Sequence, residues 1–228
     1  MSKKKLVVFS GAGMSAESGI STFRDSGGLW EEHSIEEVAT PEAFARDPEK
    51  VLNFYNMRVR QLLEVEPNPA HLAIAEMESY IDFEVKVITQ NVDDLHERAG
   101  SSHVLHLHGE LMKCRSSGNE NIILEMPNSG LKIGDLCPEG HQLRPHVVWF
   151  GEMVPAMDEA ATIVSEAEIL VVIGTSLNVY PAAGLAYMAS EDARVYLIDP
   201  GKFDYLDSRI HHIKKPATAG LKELQNLL

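Results

Sequence analysis

Short, largely apolar runs punctuate the chain at residues 6–9, 83–89, 169–173 and 195–198. Each is rich in β-branched or aromatic residues, and each closes in a polar or glycine-bearing turn. Such runs predict strands buried on both faces of a parallel sheet. Between them the pattern turns helical. Asn68-Pro69 offers a cap followed by proline at the first helical position, opening a helix to about residue 79. Asp47-Pro48 does the same for a helix through 51–63, and residues 157–167 form another that feeds into the strand at 169. Strand and helix in alternation predict an α/β fold, a Rossmann-like, doubly wound parallel sheet. Two stretches interrupt the alternation. Residues 31–67 read as a mostly helical excursion, and residues 110–146, rich in Gly, Ser, Asn and Pro, as loops or short strands. The expected organisation is a sheet domain of residues 1–30, 68–109 and 147–228, with a smaller module built from the insertions 31–67 and 110–146. A cleft between the two is the natural place for a ligand.

Composition narrows the function classes. The 228 residues are 44% hydrophobic and 24% charged, which is ordinary for a globular chain and excludes disordered and collagen-like classes. Twenty Lys and Arg against 34 Asp and Glu give a net charge of −14, a surface that repels phosphate backbones and anionic lipid. No nucleic-acid or membrane partner is expected. Two cysteines cannot form a disulfide scaffold and suit a reducing compartment. The basic lead-in Lys3-Lys4-Lys5 precedes an apolar run too short for a signal peptide, so the expected address is the cytoplasm.

The first strand is followed by Gly11-Ala12-Gly13-Met14-Ser15-Ala16, the G-x-G-x-x-[G/A] spacing of a dinucleotide loop. By itself this spacing fits a structural turn as readily as a nucleotide site. The stretch from Glu17 through Trp30 carries too much Gly and Ser for a long helix. It predicts a helical turn and then a loop bearing Phe23 and Arg24, for which a hydride-transfer enzyme has no need.

Here the sequence resembles the sirtuins, NAD-dependent protein-lysine deacylases, and the bacterial ones most closely. The resemblance rests on GAGMSAESGISTFRDSGGLW (11–30), TQNVDDLHERAG (89–100), HLHGE (106–110), RPHVVWFGEM (144–153) and GTSLNVYPAAG (174–184), in family order across nearly the whole chain. It implies NAD as co-substrate. Gly11, Ala12, Gly13, Gly174, Thr175 and Ser176 would hold its phosphates and adenosine ribose. Gln90, Asn91 and Asp93 would line the nicotinamide and ribose pocket, with Phe23 and Arg24 closing over it. His108 would be the catalytic base, with Asn91 orienting the ribose or a water; His106 reads as structural. Val148, Phe150, Gly151 and Glu152 match a strand that pairs with the acyl-lysine peptide. The family often has asparagine where this chain has Asp199, a carboxylate suited to ribose hydroxyls. Ala217 matches a backbone contact to adenine. The implied reaction moves the acyl group from lysine to the ribose of NAD, releasing nicotinamide. It needs a base near neutrality and exclusion of water.

Tyr55 and Arg58, three apart on one helix face, match a family signature for acidic acyl groups. A phenol and a guanidinium can both hydrogen-bond a distal carboxylate, so succinyl- and malonyl-lysine are expected substrates beside acetyl-lysine. Most sirtuins carry structural zinc on two C-x-x-C pairs. Here only Cys114 and Cys137 remain, and with His141 they make at most three ligands, so no metal is expected. The other readings are an ADP-ribosyltransferase on the same pocket, a non-catalytic NAD sensor, and a generic oxidoreductase. The intact His108, Asn91 and Asp93 disfavour the sensor. The Phe23-Arg24 loop and residues 149–152 disfavour the oxidoreductase.

Overall fold

The apolar runs assemble into one six-stranded sheet. The computed structural model describes residues 3–22, 34–175, 177, 180–203 and 206–228. The sheet's strands are β1 (Lys4–Ser10), β2 (Phe83–Thr89), β3 (Val104–His106), β7 (Ile169–Ile173), β8 (Arg194–Ile198) and β9 (Ile210–Ile213), in the order β3-β2-β1-β7-β8-β9. Every pairing is parallel. The chain runs outward from β1 to β3, then returns to start again at β7. Strand order therefore reverses between β1 and β7, and a crevice opens beyond their carboxyl ends.

Alternation along the strands builds two cores. Leu6 and Val8 of β1 face helices α5 (Pro69–Met77) and α8 (Ala217–Gln225) through Ile74, Met77, Leu221 and Leu224. Val7 and Phe9 face α7 (Met157–Ser165) and the 3-10 turn Ala182–Tyr187 through Ala160, Val164 and Leu185. β7 is covered on both sides, which is why its sequence is an unbroken ILVVI.

The insertions form their own layer. Helices α2 (Ile35–Val38), α3 (Pro41–Arg46) and α4 (Pro48–Glu64) lie against an antiparallel sheet of order β5-β4-β6: β4 (Gly109–Ser116), β5 (Ile123–Glu125) and β6 (Leu143–Val147). Their shared core includes Leu52, Tyr55, Val59, Leu111, Leu143 and Trp149. Asp47 caps α4 by accepting from the Lys50 N–H at 3.0 Å, with Pro48 at the first helical position. The remaining short helices are α1 (Gly13–Ala16) and α6 (Leu95–Arg98). Among the described residues no helix is long and apolar enough to cross a membrane.

Candidate functional site

Two loops interlock at the mouth of the crevice. Leaving β1, the Gly11 N–H donates to the Ile173 carbonyl at 3.0 Å and the Gly13 N–H to the Gly174 carbonyl at 2.8 Å. A Cβ on Gly11 would lie 2.7 Å from the Thr175 Cβ, and one on Gly13 would lie 2.9 Å from the Gly174 Cα. Gly174 itself sits at φ +63°, where a Cβ would come within 2.2 Å of the Met14 nitrogen. Only glycine lets these backbones close, and the closure puts Gly11, Ala12, Gly13, Gly174 and Thr175 together at the head of α1. Backbone is thus exposed to a ligand without side chains in the way, as a pyrophosphate needs.

Beneath the loops lies a buried polar layer. The Asn91 amide donates to Ser15 Oγ at 3.0 Å, and Ser15 Oγ donates to Asp93 Oδ2 at 2.9 Å. The Leu95 N–H donates to the other Asp93 oxygen at 3.2 Å. Burial draws the Asp93 carboxyl upward, while the bonds from Ser15 and Leu95 and the charges of His106 and Arg58 oppose the rise. Asn91 is anchored from behind as well. Its backbone N–H donates to Thr89 Oγ1 at 3.0 Å, Ser10 Oγ meets Thr89 Oγ1 at 2.9 Å, and His96 Nε2 meets Ser10 Oγ at 2.9 Å. Gln90 bridges the two sheet halves by donating to Thr175 Oγ1 at 3.2 Å.

His108 hangs from this bridge. Its Nδ1 lies 3.0 Å from the Gln90 carbonyl, and a carbonyl only accepts, so Nδ1 carries the proton and Nε2 keeps its lone pair. Burial lowers the imidazole's pKa and the bond to Gln90 only partly opposes it, leaving a neutral base near pH 7. His106, two residues earlier, is built for the opposite state. Both ring nitrogens are taken, by the Asn91 carbonyl at 3.0 Å and by Glu97 at 2.8 Å. Burial alone would lower its pKa, but the bond and charge of Glu97 outweigh it and hold the ring raised. Two histidines of one short segment are thereby set apart, one with a lowered pKa and one with a raised pKa.

Asp199 follows β8, beside the Gly174 loop, where the Gly174 N–H donates to the Ile198 carbonyl at 2.9 Å. One Asp199 oxygen accepts from the Gly201 N–H at 2.7 Å, which orients the carboxylate. Ala217 is buried at the start of α8, and the neighbouring Thr218 N–H donates to Glu17, just past the glycine loop. Phe23, Arg24 and Ser176 lie outside the described residues.

The stretch expected to pair with the acyl-lysine peptide takes another form. Residues 148–152 are not strand: β6 ends at Val147, and the chain turns with the Glu152 N–H donating to the Trp149 carbonyl and Gly151 at φ +91°. Val148 is held by donating to the His108 carbonyl at 2.9 Å, and Phe150 by donating to the Ala39 carbonyl at 3.0 Å. The Glu152 carboxylate is occupied within the protein. Arg144 grips it at 2.6 and 3.0 Å, Arg115 at 3.2 Å and the Trp149 N–H at 2.7 Å. Those bonds shape the turn. Tyr55 and Arg58 are buried, at 2% and 8% exposure. Tyr55 accepts from Trp149 Nε1 at 2.9 Å, and Arg58 lies close enough to Tyr55 and Asp93 for both charges to offset the drop in its pKa that burial imposes. The pair therefore links the turn at residues 148–152 to the Asn91–Asp93 layer. Ser15, Ser10, Thr89 and Trp149 carry much of this geometry and escaped the sequence reading. For Ser15 the signal was its place inside the glycine motif.

A structural zinc does not fit the donors present. Cys114 Sγ donates to the Glu125 carbonyl at 3.5 Å, Cys137 Sγ donates to Ser116 Oγ at 3.3 Å, and the His141 ring lies against Gly118. Among the described residues no three His, Cys, Asp or Glu gather into a set that could hold a metal ion.

Comparison with known proteins accords with this geometry. A model described as the Sir2 family matches residues 11–181. The chain is 57% identical to a protein of Bacteroides thetaiotaomicron named NAD-dependent protein deacylase, over 99% of this chain and 98% of that one. It is 53% identical to a Helicobacter pylori protein of the same name, over 97% and 96%. Among solved structures it resembles a Sir2 homologue in complex with NAD, at TM-score 0.87 and 42% identity, covering 98% of this chain and 89% of that one.

Proposed function

The chain belongs to the Sir2 family, and on that premise we propose that it removes acyl groups from protein lysines at the expense of NAD, with acidic acyl groups preferred. It is an NAD-dependent protein deacylase. NAD supplies a leaving nicotinamide and a ribose to receive the acyl group. The observation that carries the reading is the chain of contacts Thr175–Gln90–His108, which sets a neutral imidazole beside a glycine cradle that side chains would fill.

Each residue's task follows from its surroundings. The interlocked backbones of Gly11, Gly13 and Gly174 offer N–H groups at the sheet's switch point for phosphate. Asn91 and Asp93, fixed through Ser15, present an amide and a carboxylate at constant geometry to nicotinamide and ribose. Asp199 faces the adenosine ribose, and Ala217 the adenine. His108 Nε2 takes the proton from a ribose hydroxyl. The turn Val148, Phe150 and Gly151 offers backbone to an acyl-lysine peptide. Phe23, Arg24 and Ser176 complete the pocket in this reading.

Acidic preference rests on the burial of Tyr55 and Arg58 side by side. A guanidinium that has lost its water is a strong receptor for a carboxylate, and each charge-assisted bond contributes roughly 1.5–3 kcal/mol. The test is a set of acetyl-, malonyl- and succinyl-lysine peptides of one sequence, with NAD. Succinyl and malonyl forms should show the higher kcat/KM. Arg58→Met should remove most of that advantage, and His108→Ala should abolish turnover of all three. Equal losses on acetyl and succinyl peptides in Arg58→Met would refute the acyl assignment. Label from NAD appearing on protein, with no free lysine, would refute the deacylase reading in favour of ADP-ribosyl transfer.

A further inference from the structure

We propose that Trp149 is a positioning residue for acidic acyl groups: its indole N–H occupies the Tyr55 oxygen and so obliges the Tyr55 hydroxyl to donate into the acyl pocket. The inference rests on the acidic-acyl reading above and adds to it the device that sets the polarity of the pocket.

An indole nitrogen can only donate, so at 2.9 Å the Tyr55 oxygen is the acceptor. A phenol that accepts from one side still has its own proton to place. Among the described residues the Tyr55 hydroxyl makes no other hydrogen bond. Of the groups that act on it, Trp149, Arg58 and Arg144 have no acceptor to offer, and the Glu152 carboxylate is taken up by Arg144, Arg115 and the Trp149 backbone N–H. The pocket wall therefore presents donors only, an O–H beside a guanidinium. The ligand chemistry that suits a donating O–H beside a cation is an anion with acceptor oxygens, and a methyl group offers no acceptor. Burial pushes the Tyr55 phenol up to about 12, with Arg58 and Trp149 only partly offsetting it, so the proton stays in place through any working pH.

The indole is held hard enough to dictate direction. The Arg144 guanidinium lies 3.3 Å from its ring centroid, Phe44 packs at 5.3 Å, and its backbone N–H is fixed to Glu152 at 2.7 Å. Glu152 in turn clamps Arg144. This assigns the buried ion pair a purpose: it orients the ring whose N–H orients the phenol. Without that N–H, nothing on this side holds the Tyr55 oxygen as an acceptor, and its O–H is no longer obliged to point at the substrate.

The experiment compares kcat and KM for succinyl- and acetyl-lysine peptides of one sequence, at saturating NAD, in wild type, Trp149→Phe, Tyr55→Phe, the double variant and Arg58→Met. Trp149→Phe should raise KM for the succinyl peptide and lower the succinyl-to-acetyl efficiency ratio about ten-fold, the scale of one misdirected hydrogen bond. In the Tyr55→Phe background the same change should leave the ratio where Tyr55→Phe put it, since no hydroxyl remains to direct. Should Trp149→Phe fold poorly, benzothienylalanine at 149, which exchanges the indole N–H for sulfur in a ring of nearly equal size, should give the same drop. A ratio unchanged in both 149 variants while Arg58→Met collapses it overturns the role of Trp149 and leaves the acyl reading standing. A ratio that Arg58→Met also leaves unchanged overturns both.

Discussion

Acid should unfold this protein earlier than its carboxylates alone would require, because two histidines are buried neutral behind the glycine loop. His71 and His96 are 0% and 1% exposed, with rings 4.9 Å apart in an edge-on contact. His71 completes the capping box of α5: its Nδ1 accepts the Asn68 N–H at 3.3 Å, while Asn68 Oδ1 accepts from Ala70 and His71. Protonating Nδ1 destroys that bond. Burial holds His71 at about 4, with Glu97 opposing, against an ordinary 6.5. His96 is likewise held well below the ordinary value, by burial and then by the nearby His71 and His106. A histidine whose folded pKa is depressed gives stability that is complete above its unfolded pKa and is lost as pH falls toward the folded value. The window opens near pH 6.5 and runs to about 4. For His71 alone the loss reaches roughly 2 kcal/mol by pH 5 and ~3 kcal/mol at pH 4, large against a total stability of about 5–15 kcal/mol. His108 and His146, also lowered by burial, act in the same sense, whereas the raised His106 acts against it. The clean measurement is therefore a difference. Urea unfolding followed by circular dichroism between pH 7.5 and 5 should show wild type losing stability faster than His71→Gln, whose amide oxygen can still accept the Asn68 N–H. Parallel curves for the two proteins would refute the reasoning.

Gly174→Ala should disable nucleotide binding and lower stability by about 1–3 kcal/mol, since a left-handed backbone and a Cβ 2.2 Å from Met14 N cannot coexist with the closed loops. Calorimetric titration with NAD and a thermal melt check it, and near-normal affinity would sink the interlock argument. Ser15→Ala leaves the Asn91 amide and one Asp93 oxygen without their partner, a loss of roughly 1–3 kcal/mol at each buried group. It should raise KM for NAD or lower kcat by about ten-fold or more, and an unchanged kcat/KM for NAD would remove Ser15 from the site.

Where order was local, the sequence displayed it. β7 was readable to the residue, because a strand buried on both faces has no polar position to blur its limits, and β2 through its alternation of buried Phe83, Val85 and Val87 with Glu84 and Lys86. Helices α4 and α5 announced themselves through Asp47-Pro48 and Asn68-Pro69. β9 did not, since its Ile-His-His-Ile sequence lies at a sheet edge with no apolar run. The antiparallel sheet of the small module was hidden for a different reason. It is held by pairings such as Cys114 with Pro145 and Arg115 with Arg144, about thirty residues apart, which no short window along the chain contains. The site divides the same way. Its glycines, His108 and the Gln90-Asn91-Val92-Asp93 run stand in compact motifs. The contacts that set their chemistry join Ser15 to Asp93, Gln90 to Thr175 and Trp149 to Tyr55, across 78, 85 and 94 residues.

Those distant contacts share a principle. At His108 a carbonyl, which can only accept, fixes which nitrogen is the base. At Tyr55 an indole, which can only donate, fixes which way the hydroxyl points. In each case a one-way partner behind the ring decides what its front can do. The two partners differ in how replaceable they are. The Gln90 carbonyl belongs to the backbone between β2 and Asn91, and no side-chain substitution removes it. The Trp149 N–H belongs to a side chain, and one substitution does. On the proposed reading, basicity at position 108 is thus insulated from sequence change, while the polarity of the acyl pocket is open to it. A fold arranged in this way can alter which acyl group it accepts without disturbing the proton transfer that every acyl group requires.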